Sequence, residues 1–194
     1  MHGMSAYRLA LRYGLADAAD LLREPGADEE LSVQEQFVAA CACCNREEAR
    51  RILAAHPDLL DTLSDGQRRQ LPNLVESGNH DAVRLMVELG WPIDVTGGDW
   101  RASALNLAVF QGNSELTRFL LQHGASWEER HGHGDNVRGT LSWASRNNDP
   151  ELGDWVGCAE ALVEYGMPIE ASEHGYSEEV AEFLAGERAK REGG

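Results

Sequence analysis

Three groups of side chains in this sequence have the types and spacing to do chemistry. Cys41, Cys43 and Cys44 lie almost side by side, with Cys158 far along the chain. Zinc sites pair cysteines as C-x₂₋₄-C, and Cys41 with Cys44 meets that spacing. His131, His133 and Asp135 alternate with glycine through His131-Gly132-His133-Gly134-Asp135. Two imidazoles and a carboxylate are a ligand set for zinc or a related ion. Asp149, Glu151 and Asp154 gather about Pro150 and Gly153, an oxygen-rich group of the kind calcium takes. Nucleophilic catalysis has no counterpart, since neither a Gly-x-Ser-x-Gly elbow nor a Gly-rich phosphate loop occurs.

What these groups do depends on the elements that hold them, and the chain carries its own ruler for those elements. A small residue in the middle of a first helix recurs at Ala10, Cys41, Leu74, Ala108 and Ala144, in steps of 31, 33, 34 and 36. The residue that ends a second helix recurs at Gly26, Pro57, Gly90, Gly124 and Gly166, in steps of 31, 33, 34 and 42. Between the rulers lie Leu21-Leu22, Ile52-Leu53, Leu85-Met86-Val87, Phe119-Leu120-Leu121 and Ala161-Leu162-Val163. Apolar residues at helical spacing demand one buried face per helix, and neighbouring units bury it mutually. The two helices of a unit are separated at Gly14, Asn45, Gly78 and Gly112, positions suited to a left-handed backbone.

Measured against the rulers, the chemical groups acquire structural readings. Cys41 occupies the slot filled by alanine in the other good units, and Cys158 aligns with Leu116, so both read as compact hydrophobes. The histidine group falls on the hairpin joining the fourth and fifth units, where Gly and Asp supply a tight turn. An exposed hairpin tip lacks the neighbours that orient true metal ligands. From Ala144 to Leu162 there are 18 positions where Ala108 to Leu120 needs 12. About six residues near Asn147–Trp155 are therefore inserted in the fifth unit, and they carry the acidic group. Such carboxylates are either solvated or part of a functional loop. Pro72 fits a first helical turn if its helix starts near Arg69 or Gln70, whereas a start at Ser64 requires a kink.

The clearest unit reads Ser103-Ala104-Leu105-Asn106-Leu107-Ala108, then Gln111-Gly112-Asn113, then Phe119-Leu120-Leu121-Gln122-His123-Gly124-Ala125. Ser5-Ala6-Tyr7-Arg8-Leu9-Ala10 with Gly26-Ala27-Asp28 is a second good copy. These residues resemble the ankyrin repeat, whose pattern is Thr-Pro-Leu-His-x-Ala-Ala, a central Gly-His or Gly-Asn, a Leu-Leu pair and a closing Gly-Ala-Asp. No unit keeps the Thr-Pro-Leu-His tetrad whole. The resemblance implies an all-α ankyrin-repeat solenoid filling residues 1–194 as a single domain. About five helix-turn-helix units are expected, near 5–30, 34–60, 69–94, 103–128 and 139–170, with short hairpin loops and a capping helix at 177–185. Residues after Gly186 are polar and expected to fray. No cap precedes the first unit, which implies a tolerant outer face or the tail of a longer array. Gly139-Thr140-Leu141-Ser142-Trp143-Ala144-Ser145 and Gly153-Asp154-Trp155-Val156-Gly157-Cys158 resemble a group of bacterial ankyrin proteins. That likeness implies a bacterial, cytoplasmic protein with no assigned reaction.

Charge narrows the partners. The 194 residues hold 17 basic against 33 acidic side chains, a formal net charge of −16. Such a surface repels nucleic acid and anionic membrane, whose affinities come from Lys and Arg. It either keeps the chain soluble or addresses a basic partner. No apolar run is long enough to span a bilayer, and the first residues lack the pattern of a secretory signal.

In an ankyrin stack the first helices and hairpin tips line a concave face. By position, that face takes Arg12, Tyr13, Cys43, Cys44, Glu76, Ser77, Phe110, Gln111, Arg146 and Asn147 from the helices. Asp99, Trp100 and Arg101, then Asn136, Val137 and Arg138, come from the hairpins. Trp143, one turn behind Arg146, is placed beside the buried face. Interface hot spots favour Trp, Tyr and Arg. The expected partner site is thus Trp100, Arg101, Phe110, Gln111, Arg138, Trp143, Arg146 and Asn147, facing a protein or peptide from units three to five. The function expected is a non-catalytic interaction module, an adaptor or regulator needing no cofactor. Two alternatives stay open: an enzyme-accessory, small-molecule or metal site at His131, His133 and the 147–155 loop, and a structural tail of a longer array.

Overall fold

The computed structural model describes residues 5–22, 30–170 and 175–193. Gly26, Ala27 and Asp28, which close the first repeat in the sequence pattern, lie outside the described residues, as do residues 1–4 and Gly194. The chain divides into two compact units, 1–95 and 96–194.

In the first unit the helices are α1 (Ala6–Arg12), α2 (Ala16–Leu22), α3 (Val33–Ala42), α4 (Arg46–Ala55), α5 (Asp65–Arg68), α6 (Gln70–Glu76) and α7 (His80–Glu88). They pack as consecutive pairs, α1 on α2, α3 on α4 and α6 on α7, with α3 also meeting α1 and α7. Phe37, Val38, Cys41, Ile52, Leu71, Leu74, Leu85 and Met86 fill the core. Leu9, Leu15 and Leu21 are exposed.

The helix-to-helix turns differ from the expected register in one place. The left-handed residue between α3 and α4 is Cys44, at φ +56°, in line with Gly14 at +72° and Gly78 at +79°. Asn45 instead caps α4, its side chain accepting from the Glu48 N–H. Asn79 does the same for α7 through the Ala82 N–H. An Asn side chain is worth more as a cap than as a left-handed hinge, so the turn slot falls one residue earlier.

Both readings of Pro72 meet in the structure. Ser64 caps α5 with a reciprocal Gln67 contact, and α5 stops at Arg68. The chain restarts at Gln70, leaving Pro72 in the first turn of α6.

The second unit opens with an antiparallel hairpin, β1 (Thr96–Gly97) and β2 (Ala102–Ser103), in register Thr96↔Ser103 and Gly97↔Ala102. Its helices are α8 (Ala104–Phe110), α9 (Ser114–Gln122), α10 (Val137–Asn147), α11 (Trp155–Glu164) and α12 (Glu178–Glu192). A second hairpin between α9 and α10 is pinned by a bridge between Arg130 and Asn136. The inserted residues form a link that carries a 3₁₀ turn, Pro150–Leu152. Asp149 and Asp154 cap the turn and α11, accepting from the Glu151 and Gly157 N–H groups at 3.1 and 2.7 Å. The final helix runs beyond the expected 177–185 to Glu192. Gly186 does not end it, and Glu187 pairs with Lys190 one turn on.

Candidate functional site: an aromatic groove in residues 96–194

Four rings from four segments meet on the second unit. Trp100 sits in the β1–β2 turn, Phe110 ends α8, His131 lies on the second hairpin and Trp143 projects from α10. Trp100 and Phe110 are tilted at 60° with centroids 5.3 Å apart. Phe110 and Trp143 are stacked at 15° and 5.7 Å. His131 packs on Trp100 at 5.2 Å. These are the offset and edge geometries that aromatic quadrupoles favour. The rings wall a groove of about 490 Å³, completed by His133, Asp135, Gly139 and Thr140.

A buried polar network positions the walls. The Asn106 side-chain amide donates to Ser103 Oγ at 3.1 Å and to the Glu129 carbonyl at 3.3 Å. Thr140 Oγ1 donates to Asn106 Oδ1 at 2.6 Å. Asn106 thereby ties α8 to the second hairpin and to α10. Ser103, Asn106 and Thr140 are buried and hydrogen-bonded to one another, which makes the arrangement rigid. The hairpins are joined directly as well, because the Gly132 N–H donates to the Trp100 carbonyl at 2.7 Å. A Cβ on Gly132 would stand 2.9 Å from that oxygen, so only glycine permits the approach. Behind Phe110, Asn148 Nδ2 donates to the Phe110 carbonyl at 2.8 Å and Trp155 Nε1 to the Val109 carbonyl at 3.1 Å.

The expected partner residues part company here. Trp100, Phe110 and Trp143 come together, and Trp143 is 54 % exposed instead of lying beside the buried face. Gln111 caps the end of α8, half-buried, outside the groove lining. Arg101, Arg146 and Asn147 are exposed and also outside it, and Asn147 Nδ2 donates to the Trp143 carbonyl. Arg138 is bound elsewhere, to Glu170 and to the Tyr176 hydroxyl, and the carboxylate holds its guanidinium charged. Val137, expected on the surface, is fully buried.

His131 belongs to the wall of the groove, not to an exposed tip. Burial pushes its pKa below the usual 6.5, with His133 adding to the shift and Asp135 opposing it. Cys41 and Cys158 are buried, and burial lifts both thiols to about 12, far from the thiolate that binds metal or attacks. Among the described residues no group of three or more His, Cys, Asp or Glu could hold a metal ion. No helix among them is long and apolar enough to cross a membrane.

Comparison with known proteins agrees with the fold. Residues 71–121 match the family model described as ankyrin repeats in many copies. The solved ankyrin repeat domain of Bcl-3, described as a unique member of the IkappaB protein family, matches with a TM-score of 0.55. That match is 19% identical and covers 95% of this chain and 100% of that one. Residues 71–121 are thus ankyrin repeats, and the chain has the ankyrin-repeat fold. The human ASB11 ankyrin repeat domain is similar in fold too, at TM-score 0.50 and 15% identity, covering 94% of this chain and 97% of that one. No curated protein matches the sequence.

Asn106 now has a place in the repeat. It stands at the fourth position of Ser103-Ala104-Leu105-Asn106, where the ankyrin pattern has histidine. The departure from the tetrad was the signal that could have marked it as the residue holding both hairpins. Thr140 gave no such signal, since its place in the groove depends on that network.

Proposed function

We propose that this protein is a non-catalytic interaction module that binds a peptide segment of a partner protein in the groove of residues 96–194. Ankyrin repeats generally serve as protein–protein interaction modules, and their repeated helices favour broad binding surfaces over enclosed active sites. The observation that carries the reading is Trp143: a tryptophan 54 % exposed, yet stacked on Phe110 in the wall of a groove. A large apolar side chain held rigid at the surface loses little entropy on binding and offers much area. The surface expected over units three to five narrows to Trp100, Phe110 and Trp143, with Arg101 and Arg146 outside the groove lining.

Selection from a random peptide library on the immobilised chain tests this. Enriched peptides should bind the native chain and lose at least about tenfold in affinity on Trp143→Ala, a hot-spot-sized effect. Circular dichroism should show the variant's helix content unchanged. Peptides that bind the variant equally well would remove the groove from the reading.

A further inference from the structure

The geometry points to a guanidinium subsite in this groove: an arginine side chain of the partner stacks on the exposed ring of Trp143, and Asp135 takes its charge. This rests on the peptide-groove reading and names the chemistry that the groove selects.

Trp143 is stacked on Phe110 at 15°, and Trp100 is tilted at 60° to Phe110, so the rings hold one another in place in the groove. Ring faces attract cations, and tryptophan attracts them best. One carboxylate, Asp135, lines the same groove. Asp135 forms no side-chain hydrogen bond or ion pair among the described residues, and its electrostatic influence falls on His131. Gly139 lets it lie in the groove, since a Cβ there would come within 2.8 Å of the Asp135 Cβ.

No cation among the described residues neutralises Asp135, and among them neither lysine nor arginine lines the groove. Arg130, on the same hairpin, donates to the Gly134 carbonyl at 2.6 Å, and Arg138 is held by Glu170 and Tyr176. Because burial favours the neutral imidazole, His131 adds little opposing charge at neutral pH. The net charge of −16 draws a cationic segment towards the surface.

A planar cation fits better than an ammonium. Guanidinium stacks on aromatic faces, presents a two-pronged fork to a carboxylate and gives up its water more readily. Lysine offers a compact, strongly hydrated charge that cannot lie flat.

The test is a nuclear magnetic resonance titration of the full ¹⁵N-labelled chain with N-butylguanidinium and with its uncharged isostere N-butylurea. The guanidinium should move the indole signals of Trp100 and Trp143 and the Gly139 amide, saturably. It should bind roughly fivefold tighter than the urea. Asp135→Asn should weaken the guanidinium roughly threefold or more and leave the urea response as it was. Equal responses to the two probes, no response to either, or indifference to Asp135→Asn would each overturn the subsite. The peptide selection on native chain and Trp143→Ala answers separately, so a peptide-binding groove without a cation preference is recognised as such.

Discussion

The indole N–H of Trp91 donates to the main-chain carbonyl of Arg68 at 3.0 Å, an oxygen that Pro72, four residues on, has no N–H to serve. An α-helix satisfies each interior carbonyl from four residues ahead, and proline leaves that acceptor open. Trp91 closes the gap from outside the helix. It is 3 % exposed and stacks on Phe37 at 5.9 Å, so one side chain both fills the core and completes the α5–α6 junction.

Replacing Trp91 by Phe should keep much of the stacking and remove the donor. The Arg68 carbonyl then loses a partner, at a cost of about 1–3 kcal/mol. In a Pro72→Ala background, residue 72 regains an N–H that can serve the same oxygen, so the Trp91→Phe cost should shrink. Urea unfolding of the four proteins gives the coupling directly. An equal cost in both backgrounds would show that the carbonyl is not what links the two residues.

The helix-to-helix turns make a second series. At Gly78, φ is +79° and an added Cβ meets nothing within 4 Å, so Gly78→Ala should cost only the left-handed penalty, about 1–2 kcal/mol. At Gly112 the same Cβ would lie 2.6 Å from the Gly153 Cα and 3.0 Å from the Asp154 N. That backbone is anchored there, the Asp154 N–H donating to the Gly112 carbonyl at 2.8 Å. Gly112→Ala should therefore lose a further 1–3 kcal/mol or so through overpacking. Cys44 occupies the equivalent slot as a non-glycine residue at φ +56°, and Cys44→Gly should stabilise by roughly 1 kcal/mol. Denaturant midpoints rank all three, and equal losses at Gly78 and Gly112 would refute the close-approach argument.

That series also shows what the sequence discloses and what it hides. Helix positions are legible because a buried face repeats at helical spacing and because polar caps sit at its start, as at Ser32, Asn79 and Asn113. Cys44 hides because its slot is defined by φ, while Asn45 beside it looks the better hinge. Trp100 and Phe110 are legible as surface aromatics from their places in the repeat. Trp143 is misjudged because its counterpart in the fourth unit, Leu107 before Ala108, is buried, while Trp143 before the equally buried Ala144 is 54 % exposed. Arg138 is lost from the expected site for a different reason. Its partners Glu170 and Tyr176 lie more than thirty residues on, beyond any local spacing rule.

The groove should respond to acid through His131. Burial is the largest influence on this imidazole and lowers its pKa below 6.5; His133 lowers it further and Asp135 raises it. Below 6.5 the unfolded chain takes up the proton before the folded one does. The stabilisation contributed by neutral His131 is therefore fully present above that pH. It is lost as pH falls from 6.5 through the lower, folded value. His131→Gln cannot titrate, so its stability should fall less steeply with acid over that window than that of the native chain, with Asp135 and His133 present in both. Denaturant unfolding followed by tryptophan fluorescence at a series of pH values reads the difference in slope. The imidazole's own resonance should titrate below 6.5 in the folded chain. A resonance titrating above 6.5, or parallel slopes for the two proteins, would mean that the ring packed on Trp100 is solvated enough to keep its charge at no cost.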